Sequence, residues 1–262
     1  IGMVKFSANL GFLWTDIPLP AAIHAAKSVG FDAVECHWPY KTPANEIVTA
    51  LEQTGLTMLV INTVKGEEGG AGFGLSSVLG QEKVARLAIN QAISFAAQIG
   101  AGAVHVMAGN AAGAEAKAVF EANLAFACAE AANHGLTILI EPLNPHDAPG
   151  YFLNSLEQAA QIIARLGQNN LKLMFDCYHV GRTEGDVIGH LRALYPIIGH
   201  IQFASVPLRQ SPDQGSVDFK EVFAAIDDMG WTGPLGAEYK PMGKTEASLC
   251  WMQSLGELSG SR

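Results

Sequence analysis

The chain has 262 residues, 49% of them apolar and 16% charged, and 16 Lys and Arg against 25 Asp and Glu leave a net charge of −9. That balance argues against a surface built to hold nucleic acid, which relies on clustered Lys and Arg to neutralise phosphates. Apolar stretches break well before the roughly 18 residues a membrane span needs, and no basic segment precedes an apolar one at the N-terminus. A cytoplasmic protein with no membrane or nucleic-acid partner is expected. Cys36, Cys128, Cys177 and Cys250 are scattered without a Cys-x-x-Cys pair, so neither a disulfide framework nor a thiolate zinc site is suggested. Ile1 and Gly2 precede Met3 and read as an expression remnant, leaving 3–262 as a single domain.

Residues 5–10 read as a strand that runs into an aromatic loop, Phe12-Leu13-Trp14. Pro18-Leu19-Pro20 then starts a helix that Gly30 closes. The same grammar repeats with a strand at 33–38, a helix at 44–54 ended by Gly55, and a strand at 57–62. Six glycines between Lys65 and Gly80 give that segment too much backbone freedom for a regular element, so it is read as a long loop, an ordinary insertion or a lid over a mouth. A helix at 81–99 is expected to pack through Val84, Leu87, Ala88, Ala92, Phe95 and Ala96. Strand 103–107 and an alanine-rich helix at 114–134 follow.

Past Gly135 the pattern continues. Thr137-Ile138-Leu139-Ile140 is a β-branched, apolar run that stops at Glu141-Pro142, as a buried parallel strand delivering an acid to a loop would. Ser155 is placed to cap a helix at 156–166. Strand 171–175, helix 186–194, strand 198–203, helix 219–229, strand 235–238 and a closing helix at 245–258 complete eight strand-helix units. Strict alternation implies parallel strands with helical crossovers, and eight units in this length predict a closed α/β barrel, the (β/α)8 TIM barrel, rather than an open sheet. No Gly-x-Gly-x-x-Gly turn follows the first strand, as a dinucleotide-binding open sheet would show.

In such a barrel, active residues sit at the C-terminal ends of strands. Glu141, Asp176, Gln202 and Glu238 end four successive strands, and hard oxygen donors without cysteine suit Mg²⁺, Mn²⁺ or Co²⁺ better than structural Zn²⁺. His179, three residues after Asp176, is placed to hydrogen-bond a substrate hydroxyl or orient a ligand. His105, near the end of the fourth strand, is either a site residue or a satisfied core histidine. His200 faces the same side as Gln202 one layer deeper and is read as packing or supporting it. Arg209 stands in the loop above the same strand, either as a fixed charge for a carboxylate or polyol substrate or as a solvated arginine. Phe12, Trp14, Trp38 and Phe73 fall in loops at the same end, where they could wall a small polyol.

Glu141-Pro142-Leu143-Asn144, Asp176-x-x-His179, Gln202 with Pro207-x-Arg209, and Glu238-Tyr239 together resemble the xylose isomerase-like sugar isomerase and epimerase barrels. Within these the chain is most similar to the hydroxypyruvate isomerase family. Phe73-Gly74-Leu75, His105-Val106-Met107-Ala108-Gly109 and Pro149-Gly150-Tyr151-Phe152-Leu153 extend the resemblance over nearly the whole chain. The resemblance implies that Glu141, Asp176, Gln202 and Glu238 bind one divalent cation and that Glu141 and Glu238 also move protons. Related ketose 3-epimerases commonly carry histidine where Gln202 stands, which leans toward a small oxo-acid. The implied reaction takes hydroxypyruvate to tartronate semialdehyde through a cis-enediolate; a 2-oxo-tetronate isomerase and a tagatose- or psicose-type 3-epimerase are the rival enzymes. A DNA-repair nuclease on the same barrel and a barrel that binds without catalysis are the readings from other classes. A homodimer or homotetramer is implied.

Overall fold

The structure, a computed structural model, describes residues 4–66 and 72–256. Its eight strands are β1 (Phe6–Asn9), β2 (Ala33–Glu35), β3 (Val60–Asn62), β4 (Ala103–His105), β5 (Thr137–Ile140), β6 (Leu171–Asp176), β7 (Ile198–Phe203) and β8 (Leu235–Ala237). They pair in parallel in the order β2-β1-β8-β7-β6-β5-β4-β3. A Val34–Met58 bridge and a 3.1 Å bond from the Cys36 N–H to the Val60 carbonyl join the two ends, so the sheet closes. The expected (β/α)8 barrel is the observed one.

Helices α1 (Leu19–Ser28), α2 (Ala44–Thr54), α3 (Glu82–Ile99), α4 (Gly113–Ala132), α5 (Leu156–Leu166), α6 (Cys177–Thr183), α7 (Val187–Leu194), α8 (Phe219–Asp228) and α9 (Trp251–Gly256) surround it. The local causes are clearest at α5. Ser155 is extended and its hydroxyl accepts the Gln158 N–H at 3.2 Å, while Gly167, at φ 57°, ends the helix in the left-handed region. Between these caps Leu156, Ala159, Ile162 and Ile163 recur at helical spacing and are buried against the barrel. Burying each of the three larger ones contributes about 1.5–3 kcal/mol.

Several local expectations need correction. On α3 the buried stripe is Ala85, Ala88, Ile89, Ala92, Ile93, Ala96 and Ile99, whereas Val84 and Leu87 are 48% and 67% exposed. Four alanines and three isoleucines at helical spacing let the helix lie close, which rotates the stripe one residue past Val84 and Leu87. Residues 72–80 of the segment at 65–80 are less free than its glycines suggest. Gly74, at φ 107°, bridges Ala108, and Ser77 bonds the Ala108 carbonyl through both its N–H (2.7 Å) and its hydroxyl (2.9 Å). A side chain at Gly74 would collide with the Met107 backbone. Thus 72–80 is fastened to the end of β4, and the part of the lid expectation that falls on 67–71 lies outside the described residues.

The closing helix is also divided: a 3-10 turn, Thr245–Ser248, precedes α9, and 257–262 lie outside the described residues. Trp251 of α9 is wholly buried, edge-on to Phe6 at 5.0 Å and Phe203 at 5.4 Å, so the chain end seals the outside of β1 and β7. The short helix α6 was not anticipated. Asp176 starts it by accepting the Tyr178 N–H at 2.9 Å, so one carboxylate both ends β6 and caps the helix that carries His179.

Candidate active site

Side chains alternate across a strand, so the residue two before each inward acid fills the barrel floor. Leu139 and Met174, two before Glu141 and Asp176, pack there with Val60 and Ala103. Above this apolar layer the inward positions turn polar. Glu141 follows β5, Asp176 and Gln202 stand side by side in the register of β6 and β7, and Glu238 follows β8. All four are buried.

Glu141, Glu238, His105, His179 and Arg209 line one cavity of about 410 Å³, and Asp176 reaches it through its contacts with His179 and Arg209. The guanidinium of Arg209 lies between the rings of Phe12 (4.9 Å) and Tyr178 (4.8 Å). Its Nη2 donates to Glu238 Oε2 at 2.5 Å and lies 3.4 Å from Asp176 Oδ2. Arg209 is therefore a built part of the pocket, and not a solvated loop arginine. On the other carboxylate oxygen, Glu238 Oε1 is met by His37 Nε2 at 2.8 Å and the Asn9 amide at 3.1 Å.

The histidines separate by their hydrogen bonds. The Asn144 backbone N–H donates to His179 Nδ1 at 3.0 Å, which requires a lone pair there and puts the ring proton on Nε2. Glu141, Asp176 and His179 hold donor atoms close enough together for a metal, with His179 Nε2 3.6 Å from Asp176 and 3.8 Å from Glu141. With its proton on Nε2, His179 is a hydrogen-bond donor into that group, and the lone pair a ligand needs is turned toward Asn144. His105 is buried with both ring nitrogens unpartnered among the described residues and its Nδ1 3.6 Å from Glu141, so it is not the satisfied core histidine. Burial lowers both rings to a pKa of about 3, which makes them neutral. His200 supports the layer below, 2.8 Å from Glu35.

Charge is unevenly settled among the acids. Burial, then Glu238 and Asp176 nearby, push Glu141 well above the carboxylate range. Burial raises Asp176 to about 7 even though Arg209 opposes it. Burial works against Glu238 too, but Arg209 and His37 overcome it and hold that carboxyl well below its usual value. One guanidinium thus leaves two of three converging carboxylates short of positive charge. Glu141 Oε1 and Gln202 Oε1 are moreover buried without any hydrogen-bond partner among the described residues. Converging acids with orphaned hard oxygens are the donor set that fits a divalent cation.

Several pocket residues escaped the sequence reading. Phe12, Trp38 and Phe73 wall the cavity as expected, but Trp14 does not: it is buried and its indole N–H donates to Glu246 at 2.6 Å. Lys65 and Lys240 line the mouth. The Lys65 ammonium sits 4.6 Å from the Trp38 ring centre and 4.8 Å from that of Phe73. Asn9, Glu35 and His37 were also missed. Glu35 does end a strand, but Cys36-His37-Trp38 continues it without the proline or polar loop that marks Glu141.

Fold and site define a TIM barrel with an acidic pocket at the C-terminal end of its strands. The model of the xylose isomerase-like TIM barrel family matches residues 23–255. A 2-oxo-tetronate isomerase from Cupriavidus necator is 39% identical over 255 residues, covering 96% of this chain and 98% of that protein. A putative hydroxypyruvate isomerase from Homo sapiens is 37% identical over 268 residues, covering 98% and 97%. The crystal structure of an AP endonuclease, family 2, from Brucella melitensis superposes with a TM-score of 0.92 at 30% identity, covering 96% of this chain and 99% of that one. The chain belongs to the xylose isomerase-like TIM barrel family.

Proposed function

We propose that the protein is a divalent-cation-dependent isomerase of a small hydroxy-oxo-acid, interconverting hydroxypyruvate and tartronate semialdehyde. The observation that carries this is the convergence of Glu141 and Glu238 on one small cavity whose mouth is cationic. Glu141, Asp176, Gln202 and Glu238 would hold the ion, which when bound acts as a Lewis acid on the carbonyl and neighbouring hydroxyl oxygens. One glutamate removes the proton from the carbon that bears the hydroxyl and the other returns a proton to the adjacent carbon, while the hydroxyl proton passes to the former carbonyl oxygen. His179, with its proton on Nε2, donates to a substrate oxygen. Arg209 keeps Glu238 ionised and fixes its direction.

Aromatic walls leave room for a molecule of a few carbons. Arg209 is already committed to two carboxylates, so the acid group of the substrate falls to Lys65, steadied by two rings. A cationic mouth also suits a 2-oxo-tetronate, the substrate named for the Cupriavidus necator relative, which is the second reading. A neutral ketose leaves these lysines without a role. DNA cleavage is disfavoured by the net charge of −9 and by a cavity of about 410 Å³, too small for a duplex. The reading carries with it Mg²⁺, Mn²⁺ or Co²⁺ as the ion, a cytoplasmic location, and a homodimer or homotetramer.

The test is a panel of hydroxypyruvate, 2-oxo-tetronate, erythrulose, tagatose and fructose, assayed after chelation and again after each of the three metals is restored. Turnover confined to the oxo-acids and restored by metal is expected. Turnover confined to the ketoses sinks the oxo-acid assignment.

A further inference from the structure

Below the pocket lies a second polar layer that the proton chemistry does not use. Glu35, at the end of β2, is 1% exposed, and its carboxylate crosses the barrel interior past β1 and β8 to reach β7. Oε1 accepts the Gln202 amide N–H at 2.8 Å and the Asn9 amide at 3.2 Å, and Oε2 lies 2.8 Å from His200 Nε2. The crossing requires a residue with no side chain on β8. A Cβ at Gly236 would stand 2.6 and 2.7 Å from the two Glu35 oxygens and 2.9 Å from Gln202 Cγ.

An amide can be turned either way, but Glu35 Oε1 already accepts from the Asn9 amide and so meets Gln202 as an acceptor. Facing Glu35, the Gln202 side chain must present its nitrogen, because the flipped form would set oxygen against oxygen in a buried site. The carbonyl oxygen is then left on the far side, where it is buried and has no partner among the described residues. Asn9 extends the same restraint upward, since its amide also donates to Glu238 at 3.1 Å.

We propose that Glu35 is a positioning residue for the cation site: it fixes the Gln202 amide with its oxygen free to ligate, and Gly236 is the gap through which it does so. This rests on the reading of Gln202 as a ligand. Outer partners of this kind typically contribute about 10- to 100-fold to metal affinity.

The test is Mn²⁺ titration of the full-length protein, followed by the EPR signal of free Mn²⁺, with circular dichroism to confirm folding. Gln202→Leu examines the ligand reading and Glu35→Leu the positioning, with the double variant closing the cycle. Expected are affinities about 10- to 100-fold weaker for each single variant, with the double variant no weaker than Gln202→Leu. Glu35→Gln, which keeps an acceptor for the Gln202 amide, recovers most of the loss, and Gly236→Ala reproduces it should Glu35→Leu not fold. Unchanged affinity in Gln202→Leu overturns the ligand reading. Weakened affinity in Gln202→Leu beside wild-type affinity in Glu35→Leu or Gly236→Ala, or losses that simply add in the double variant, overturns the positioning role alone.

Discussion

Arg209 and Glu238 are joined at 2.5 Å, so an arginine of the pocket is held by a glutamate that we propose moves protons. A charge read from sequence as a hand for the substrate is first of all a clamp on a glutamate. Its planar fork, pinned between Phe12 and Tyr178, could not be copied by the single ammonium of a lysine.

Removing that guanidinium takes away the main force that keeps the Glu238 carboxyl acidic. Its pKa then rises, and the base form is lost at higher pH. Arg209→Ala is expected to move the acid limb of the kcat/KM profile upward by about one unit or more. An unmoved limb with only a raised KM would return Arg209 to a pure substrate-binding role.

On the proposed function, Lys65 discriminates between an oxo-acid and a neutral ketose. For an exposed ion pair worth about 1 kcal/mol, Lys65→Met should raise KM for hydroxypyruvate by roughly 5- to 10-fold and leave kcat close to wild type. Steady-state kinetics decide it, and an unchanged KM removes Lys65 from the site.

Cation binding should release protons near neutrality. Glu141 and Asp176 have raised pKa values, Asp176 about 7, so in the cation-free protein they hold protons that a bound ion must displace. Affinity for Mn²⁺ therefore rises with pH through the Asp176 range of about 6 to 8, and keeps rising for as long as Glu141 still holds its proton. Calorimetry in two buffers of different ionisation enthalpy measures the release directly, and heats that do not depend on the buffer contradict it.

The helix cap at Ser155 offers a check remote from the chemistry. Ser155→Ala frees the Gln158 N–H from its partner and is expected to destabilise the protein by about 1 kcal/mol in urea unfolding while leaving kcat/KM unchanged.

What the sequence disclosed of the site is what a single strand can disclose. Glu141, Asp176, Gln202 and Glu238 each end an apolar run, and that local contrast is visible one strand at a time. Glu35, Asn9 and His37 acquire their roles from partners 165, 229 and 201 residues away, through bonds that only the closed barrel creates. The stripe on α3 was placed correctly at Ala88, Ala92 and Ala96 but not at Val84 and Leu87, for a related reason. Large apolar residues such as Val84 and Leu87 dominate a periodicity count, yet alanines set how near that helix lies to its neighbours. His179 was placed correctly near the acids, but its role as donor depends on which nitrogen Asn144 engages, a matter of geometry and not of spacing.

Glu141 and Glu238 are proposed to move protons on a small oxo-acid beside one cation. Solvent deuterium incorporation into hydroxypyruvate, followed by NMR, tests this most directly in the wild-type protein, the chelated protein, Glu141→Gln and Glu238→Gln. Incorporation should occur in the metal-loaded wild type, cease on chelation, and fall by about 10²- to 10⁴-fold in either variant. Near-normal exchange in Glu238→Gln at full metal occupancy would contradict the two-glutamate scheme.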